Sequence, residues 1–432
     1  MENKFYEEEN LQYTNENIQS NQEIFQNEEK LESENTNNPN IYEETNQPQP
    51  TEINNQSLEK NLKEEEYKAS VNKRKRNYGI DLLRISTMYL ICLLHVLGRG
   101  GVLSGSKPQS FNYFLAWFLE IYAYCAVDCY ALISGYVGIG SRYKYSNYIY
   151  LWLQVEYHSL GIMLFFALIK REMFSLTEFF GQAFPVTSER YWYFSAYTGL
   201  FLFMPYLNHG INIIPKNVAK WNLIITTLII TILSRFNEDF IYMGLGANSL
   251  SLIFGYVIGG YIKKYEPFKN VKNLYLIFIW IFMLIVTLLV KMGVELYTLK
   301  DPKNKGKAKG GGYLISYISP TIYAIAIIKL ELFSRITFTK KPKILEIFAI
   351  SSFGVYIIHL HVKIWGLLGD LFKNYGNFNP LFLVLSTLGT TLGIYLLCSL
   401  IDYLRYLLFE KIKLRIFLIN IEEKFSKKFI HI

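Results

Sequence analysis

Residues 78–98 read YGIDLLRISTMYLICLLHVLG, and this stretch decides the fold. It matches the roughly 20 apolar residues that a helix needs to cross a bilayer core. Lys73-Arg74-Lys75-Arg76 stands directly before it. Three ionisable residues interrupt it, Asp81, Arg84 and His95. Such groups are costly inside a span and mark function by default. Eleven residues separate Arg84 from His95. That is about 1,100° of helical rotation, about 20° from a shared face, and roughly 16 Å along the axis. Asp81 and Arg84 form an i,i+3 pair on that face, where opposite charges neutralise each other. The same residues also read as a snorkelling interfacial pair and a hydrogen-bonded core histidine.

Outward from this run, the pattern repeats. Spans are expected near 79–98, 112–138, 147–169, 191–208, 219–234, 240–262, 273–292, 313–334, 345–368 and 380–408. Ten-residue alternating segments, the signature of a membrane barrel, are absent. The fold class is therefore all-α: a polytopic helical membrane protein with about ten transmembrane helices. Of the 432 residues 51% are hydrophobic, which together with these runs excludes an ordinary soluble enzyme and a disulfide scaffold. Nucleic acid is not an expected partner; the lipid bilayer is.

Charge divides the chain sharply. Residues 1–70 hold 17 Glu, 14 Asn and 5 Lys, a net of −12, while the remainder is net +20. The polar segment has too little apolar surface to offset chain entropy, so 1–74 is expected to be a disordered cytoplasmic tail without a cleavable signal peptide. Residues 75–410 form the membrane domain and 411–432 a basic cytoplasmic segment. The positive-inside bias places the N-terminus in the cytoplasm, because Arg142 and Lys144, Lys216 and Lys220, Lys263 and Lys264, and Arg335 to Lys343 fall in even-numbered connections. The Lys-rich loop 300–312 dissents and is expected outside. Cys92, Cys125, Cys129 and Cys398 lie in apolar runs and read as small buried side chains.

Other candidates are weaker taken singly. The second span carries Glu120 and Asp128 and ends in Ser134-Gly135-Tyr136, where Gly135 and Gly138 permit close backbone approach. Arg142 and Lys144 beyond it fit either a phosphorylated donor or the charge bias alone. Glu156 and His158 are two residues apart and so face apart. Arg190 to Tyr197 form an aromatic belt containing Trp192 and Tyr193. His359 and His361 lie about 200° apart on a helix, so they do not share a metal, and no metal site is expected. Gly244-Leu245-Gly246 and Gly310-Gly311-Gly312 lack the strand context of nucleotide motifs and read as flexible punctuation.

Four stretches taken in order carry a resemblance. They are Gly79 to Ile85 with His95, Ala126 to Tyr136, Trp192 to Tyr197 running to Pro205-Tyr206-Leu207-Asn208, and Phe353-Gly354-Val355-Tyr356-Ile357-Ile358-His359. Together they resemble the acyltransferase 3 family of integral-membrane O-acyltransferases, closest to the branch that O-acetylates surface polysaccharides, such as the enterobacterial common-antigen acetyltransferase. The resemblance implies a multi-pass protein of the plasma (inner) membrane. It implies acetyl-CoA or another acyl-CoA as donor substrate, no permanently bound cofactor, and a glycan or polysaccharide acceptor. It casts His95 as the catalytic base and Arg84, Arg142 and Lys144 as donor-binding. Asp81, Asp128, Trp192, Tyr193 and His359 become supporting or acceptor-side residues. The family often has two arginines where this chain has Arg142 and Lys144, and lysine is a point charge rather than a planar fork. Two other readings use the same residues: a transporter exporting a glycan or amphipathic solute, and a sensor whose tail binds a partner.

Overall fold

The computed structural model describes residues 76–170, 176–233, 246–300 and 315–429, all within the unit Arg76–Ile432. The expected disordered tail, loop residues 301–312 and Gly244-Leu245 lie outside the described residues. Among the described residues every regular element is helical. In chain order these are α1 (Tyr78–Leu97), α2 (Val102–Gly105), α3 (Phe111–Tyr124), α4 (Ala126–Gly138), α5 (Tyr145–Lys170), α6 (Leu176–Ala183), α7 (Trp192–Ile213) and α8 (Lys216–Leu233). There follow α9 (Ser249–Tyr265), α10 (Asn273–Lys300), α11 (Pro320–Ser334), α12 (Lys343–Leu360), α13 (Val362–Leu368), a 3-10 turn (Lys373–Asn377), α14 (Pro380–Lys411) and α15 (Leu414–Phe429).

Helix α1 is the hub, packed against α3, α4, α11, α12 and α14. Its start is fixed chemically. The Asn77 carboxamide accepts from the Gly79 and Ile80 amides at 2.9 and 3.3 Å and donates to the Ser334 carbonyl at 2.8 Å. One side chain thus satisfies two of the helix's orphan donors and ties α1 to the end of α11. Leu83, Leu93 and Leu97 are fully buried around it.

In lipid, apolar burial does little to hold one helix against another, so close packing and hydrogen bonds take over. The α4–α9 contact shows this. A Cβ at Gly135 would collide with the Tyr256 backbone, and one at Gly259 with the Leu132 carbonyl. Two glycines on facing helices therefore bring the backbones together, as the Gly135 reading anticipated. The outer faces behave oppositely: Leu274 and Phe278 on α10 are 73% and 70% exposed. Apolar side chains there suit lipid as solvent.

Six helical segments have the length and apolarity to cross a bilayer: Tyr78–Leu97, Phe111–Gly138, Tyr145–Ile169, Asn273–Tyr297, Lys343–Leu360 and Pro380–Lys411. On the other four expected spans stand α7 with 22 residues, α8 with 18, α9 with 17 and α11 with 15.

Two expected continuous helices are broken. The 112–138 run divides into α3 and α4 at Cys125, whose ψ is −2°; its thiol donates to the Tyr122 carbonyl at 3.6 Å and its carbonyl accepts the Cys129 amide at 3.0 Å. The 345–368 run stops at Leu360, because His361 turns extended with ψ 134° and accepts the Lys363 amide at 3.3 Å to start α13. The 200° relation between His359 and His361 fails with it, and both imidazoles are buried. All four cysteines are buried and free, as expected.

Helix α15 ends the described chain. Its Glu422 accepts from the Tyr145 amide at 2.7 Å and from Ser146, placing a carboxylate at the positive end of α5.

Candidate active site

Where α1, α12 and the start of α7 converge, two spaces meet. A small cavity of about 50 Å³ is lined by Met88, Ile91, Leu94, Val127, Tyr130, Phe353 and their neighbours. A wider vestibule of about 520 Å³ is walled by Gln182, Arg190, Tyr191, Val362 and Trp365 among others. His95, Trp192, Tyr356 and Leu360 belong to both linings. His95 therefore stands at the junction, one and a half turns or less from the end of α1 (about 3.6 residues per turn).

The hydrogen bonds around His95 fix its tautomer. His359 Nδ1 lies against the Val355 carbonyl, which only accepts, so His359 carries its proton on Nδ1. Its Nε2 is then a lone pair, and it sits 2.8 Å from His95 Nδ1. His95 must donate in that bond. Its Nε2 is left with the lone pair, the form a general base requires. The Trp365 ring meets the His95 ring edge-on at 4.9 Å and limits its swing. A structural carbonyl thus orients one histidine, which orients the next.

Aromatic residues frame the junction. Tyr193 donates its backbone N–H to Tyr356 Oη at 3.1 Å, fixing the α7 entrance against α12. Trp192 stacks on Tyr317 with centroids 6.0 Å apart. Both members of the Trp192-Tyr193 pair line the cavity, and Trp192 also lines the vestibule. Tyr130 closes the opposite wall and donates its hydroxyl to the Arg84 carbonyl at 3.0 Å, linking α4 to the middle of α1.

At the other end of α1, Arg84 donates to Asp81 Oδ1 at 3.1 Å. The i,i+3 pair is real but shared: Asp81 is buried and also receives Arg76, which reaches on to Glu346 at 3.4 Å. Lys341 also pairs with Glu346, at 3.2 Å, so three cations stand against two carboxylates in this cluster. Arg142 and Lys144 lie in the loop after α4, with no side-chain hydrogen bond or ion pair among the described residues. Asp128 is not brought to His95. It is buried in the first turn of α4, borders neither space, and its Oδ2 has no hydrogen-bond partner among the described residues.

Sequence reasoning missed one buried constellation. Asp402 Oδ1 accepts from Gln154 at 3.0 Å and contacts His158 Nε2 at 2.7 Å, while Arg405 reaches Asp402 Oδ2 at 2.8 Å and Tyr150 at 3.2 Å. It joins α5 to α14 behind α12, and a Cβ at Gly354 would strike the Asp402 carboxylate. An Asp and an Arg three apart inside the last apolar run were the available signal. Trp365 and Tyr356 carried no such signal; only the fold brings them to His95.

Residues 77–399 match the family model described as an acyltransferase domain. No curated protein and no solved structure gives a match.

Proposed function

The chain belongs to the acyltransferase 3 family of membrane acyltransferases, and from that premise we propose that it moves an acyl group, acetyl in the first instance, from acyl-CoA to a hydroxyl of a cell-surface or exported polysaccharide. The observation that carries this reading is the oriented His95 imidazole at the meeting of two spaces. A transferase must bring two substrates to one base from different directions, and this arrangement suits it.

In the proposed reaction the pantetheine arm reaches along α1 from the Arg84 mouth, with CoA phosphates near Arg84, Arg142 and Lys144. The acceptor hydroxyl enters by the vestibule. His95 Nε2 takes its proton as the oxygen attacks the thioester carbonyl. The tetrahedral intermediate collapses, the carbon–sulfur bond breaks, and the proton on His95 passes to the departing thiolate. His359 stabilises the transient imidazolium by accepting from His95 Nδ1. Asp81 holds Arg84, and Trp192 and Tyr193 shape the acceptor side. The proposed setting is the plasma membrane, with about ten spans over residues 75–410, the Arg84 mouth and the N-terminus cytoplasmic, and 411–432 basic and cytoplasmic.

The test is the purified protein in liposomes with radiolabelled acetyl-CoA and a panel of surface glycans, run beside His95→Ala. Label on a glycan with wild type alone supports enzyme and base together. Label with both proteins keeps the enzyme and removes His95 from the mechanism. Glycan flux without any acyl-CoA requirement would favour a transporter instead.

A further inference from the structure

We infer that the vestibule selects an acceptor sugar bearing an oxyanion, a carboxylate or a phosphate, with Arg190 as the group that binds it. The inference rests on the acyltransferase reading above and names the acceptor class for the same site.

Three observations carry it. Arg190 lines the vestibule, and its guanidinium lies over Gly181, where a Cβ would come within 2.8 Å of Nη2. The bare backbone of α6 thus seats the fork. That fork has no side-chain hydrogen bond or ion pair among the described residues, even though Glu189 shares the wall. The neighbouring cations are engaged: Lys363 pairs with Glu178 at 3.4 Å, and Arg99 caps Trp365, 3.2 Å from its carbonyl and 5.7 Å from its ring.

Gln182 stands in the wall beside Arg190. Gln182 is 1% exposed, its Oε1 accepts the Ser159 hydroxyl at 2.6 Å, and its buried Nε2 has no partner among the described residues. Gln182 thus packs in the wall, and the Arg190 guanidinium is the cationic donor at this space. A planar guanidinium matches a carboxylate or phosphate through two parallel hydrogen bonds, which a neutral hydroxyl does not supply. Trp192, Trp365 and His95 line the same space. About 520 Å³ is enough for a sugar unit and its substituent. A sugar stacked there, with its oxyanion on Arg190, turns a hydroxyl toward His95.

The experiment uses full-length protein in liposomes with acetyl-CoA and three acceptors: a hexuronic acid disaccharide, its carboxyl-reduced neutral counterpart, and the neutral sugar carrying a phosphate. At least one acidic acceptor is expected to exceed the neutral one about tenfold in kcat/KM, and which one does so identifies the oxyanion. Arg190→Gln should remove the preference through KM for the acidic acceptor rather than through kcat. Arg190→Glu should invert it. Equal use of all three by wild type, or a preference that survives both substitutions, overturns the proposal while leaving the acyltransferase standing. Transfer to none of the three, with surface glycans also unlabelled, overturns both.

Discussion

His95 Nδ1 lies 2.8 Å from His359 Nε2, and the Val355 carbonyl behind His359 forces the proton of that bond onto His95. The pair links the first and second-last long apolar helices of the chain, 264 residues apart. Removing either histidine should therefore cost differently. His95→Ala removes the base itself and should lower kcat by roughly 10²–10⁴-fold. His359→Gln keeps an acceptor of similar reach and should lose less, whereas His359→Leu leaves the His95 tautomer unfixed and should approach the His95→Ala loss. In all three, KM for acyl-CoA should hold. Equal activity of the Leu and Gln variants would show that orientation by His359 has no part in the rate.

In the proposed reaction the donor phosphates are bound by cations away from His95. Arg142 and Lys144 have no protein partner among the described residues, so replacing both with glutamine leaves no buried charge behind and should spare folding. KM for acyl-CoA should rise by about tenfold or more, and the rise should shrink at high salt. Asp81→Asn should behave differently. Asp81 is buried between Arg76 and Arg84, and its loss leaves two like charges facing one another, so detergent thermal stability should fall along with donor affinity. Titrating CoA against each variant, with thermal melts alongside, separates the two effects.

If the acyl group of the proposed donor occupies the cavity beside His95, that cavity limits its length. At about 50 Å³ it is well below the roughly 150 Å³ that accommodates benzene in an engineered core. Acetyl should fit, propionyl should react more slowly, and a six-carbon chain should fail. Phe353→Ala and Met88→Ala both enlarge the lining and should admit butyryl and longer chains, with Phe353→Ala giving the greater gain. A donor series assayed against wild type and both variants checks this; an unchanged chain-length profile would place the acyl group elsewhere.

Much of this was legible in one dimension. The run 78–98 announced a span that carries ionisable residues, and helical period alone aligned Arg84 with His95. The buried pairing of Asp81 with Arg84 followed from their spacing, and close approach at Gly135 from its lack of a side chain. What failed were statements that assumed an unbroken helix. Cys125 and His361 each interrupt one, and no β-branched, glycine or proline signal at those positions marks the break. The His95–His359 bond was also out of reach, because no local pattern says which of six histidines will meet across the bundle. Trp365 comes to His95 only after the chain has turned at His361, so the site's outer wall depended on the very feature that periodicity missed.

The buried Asp402–Arg405 pair yields the sharpest stability test. Both side chains are at most 1% exposed, and Gln154, His158 and Tyr150 satisfy their remaining hydrogen-bonding groups. Arg405→Met strands a carboxylate among apolar helices, and Asp402→Leu strands a guanidinium. Each should cost about 3–5 kcal/mol, the usual penalty for breaking a buried pair by one partner. The double variant removes both charges and should recover much of that loss, because the desolvation of neither ion is then needed. None of these residues borders the spaces at His95, so activity per folded molecule should change less than stability does. Thermal melts in detergent for the two single variants and the double variant measure the coupling. Additive losses would mean that the pair is not what holds α5 to α14.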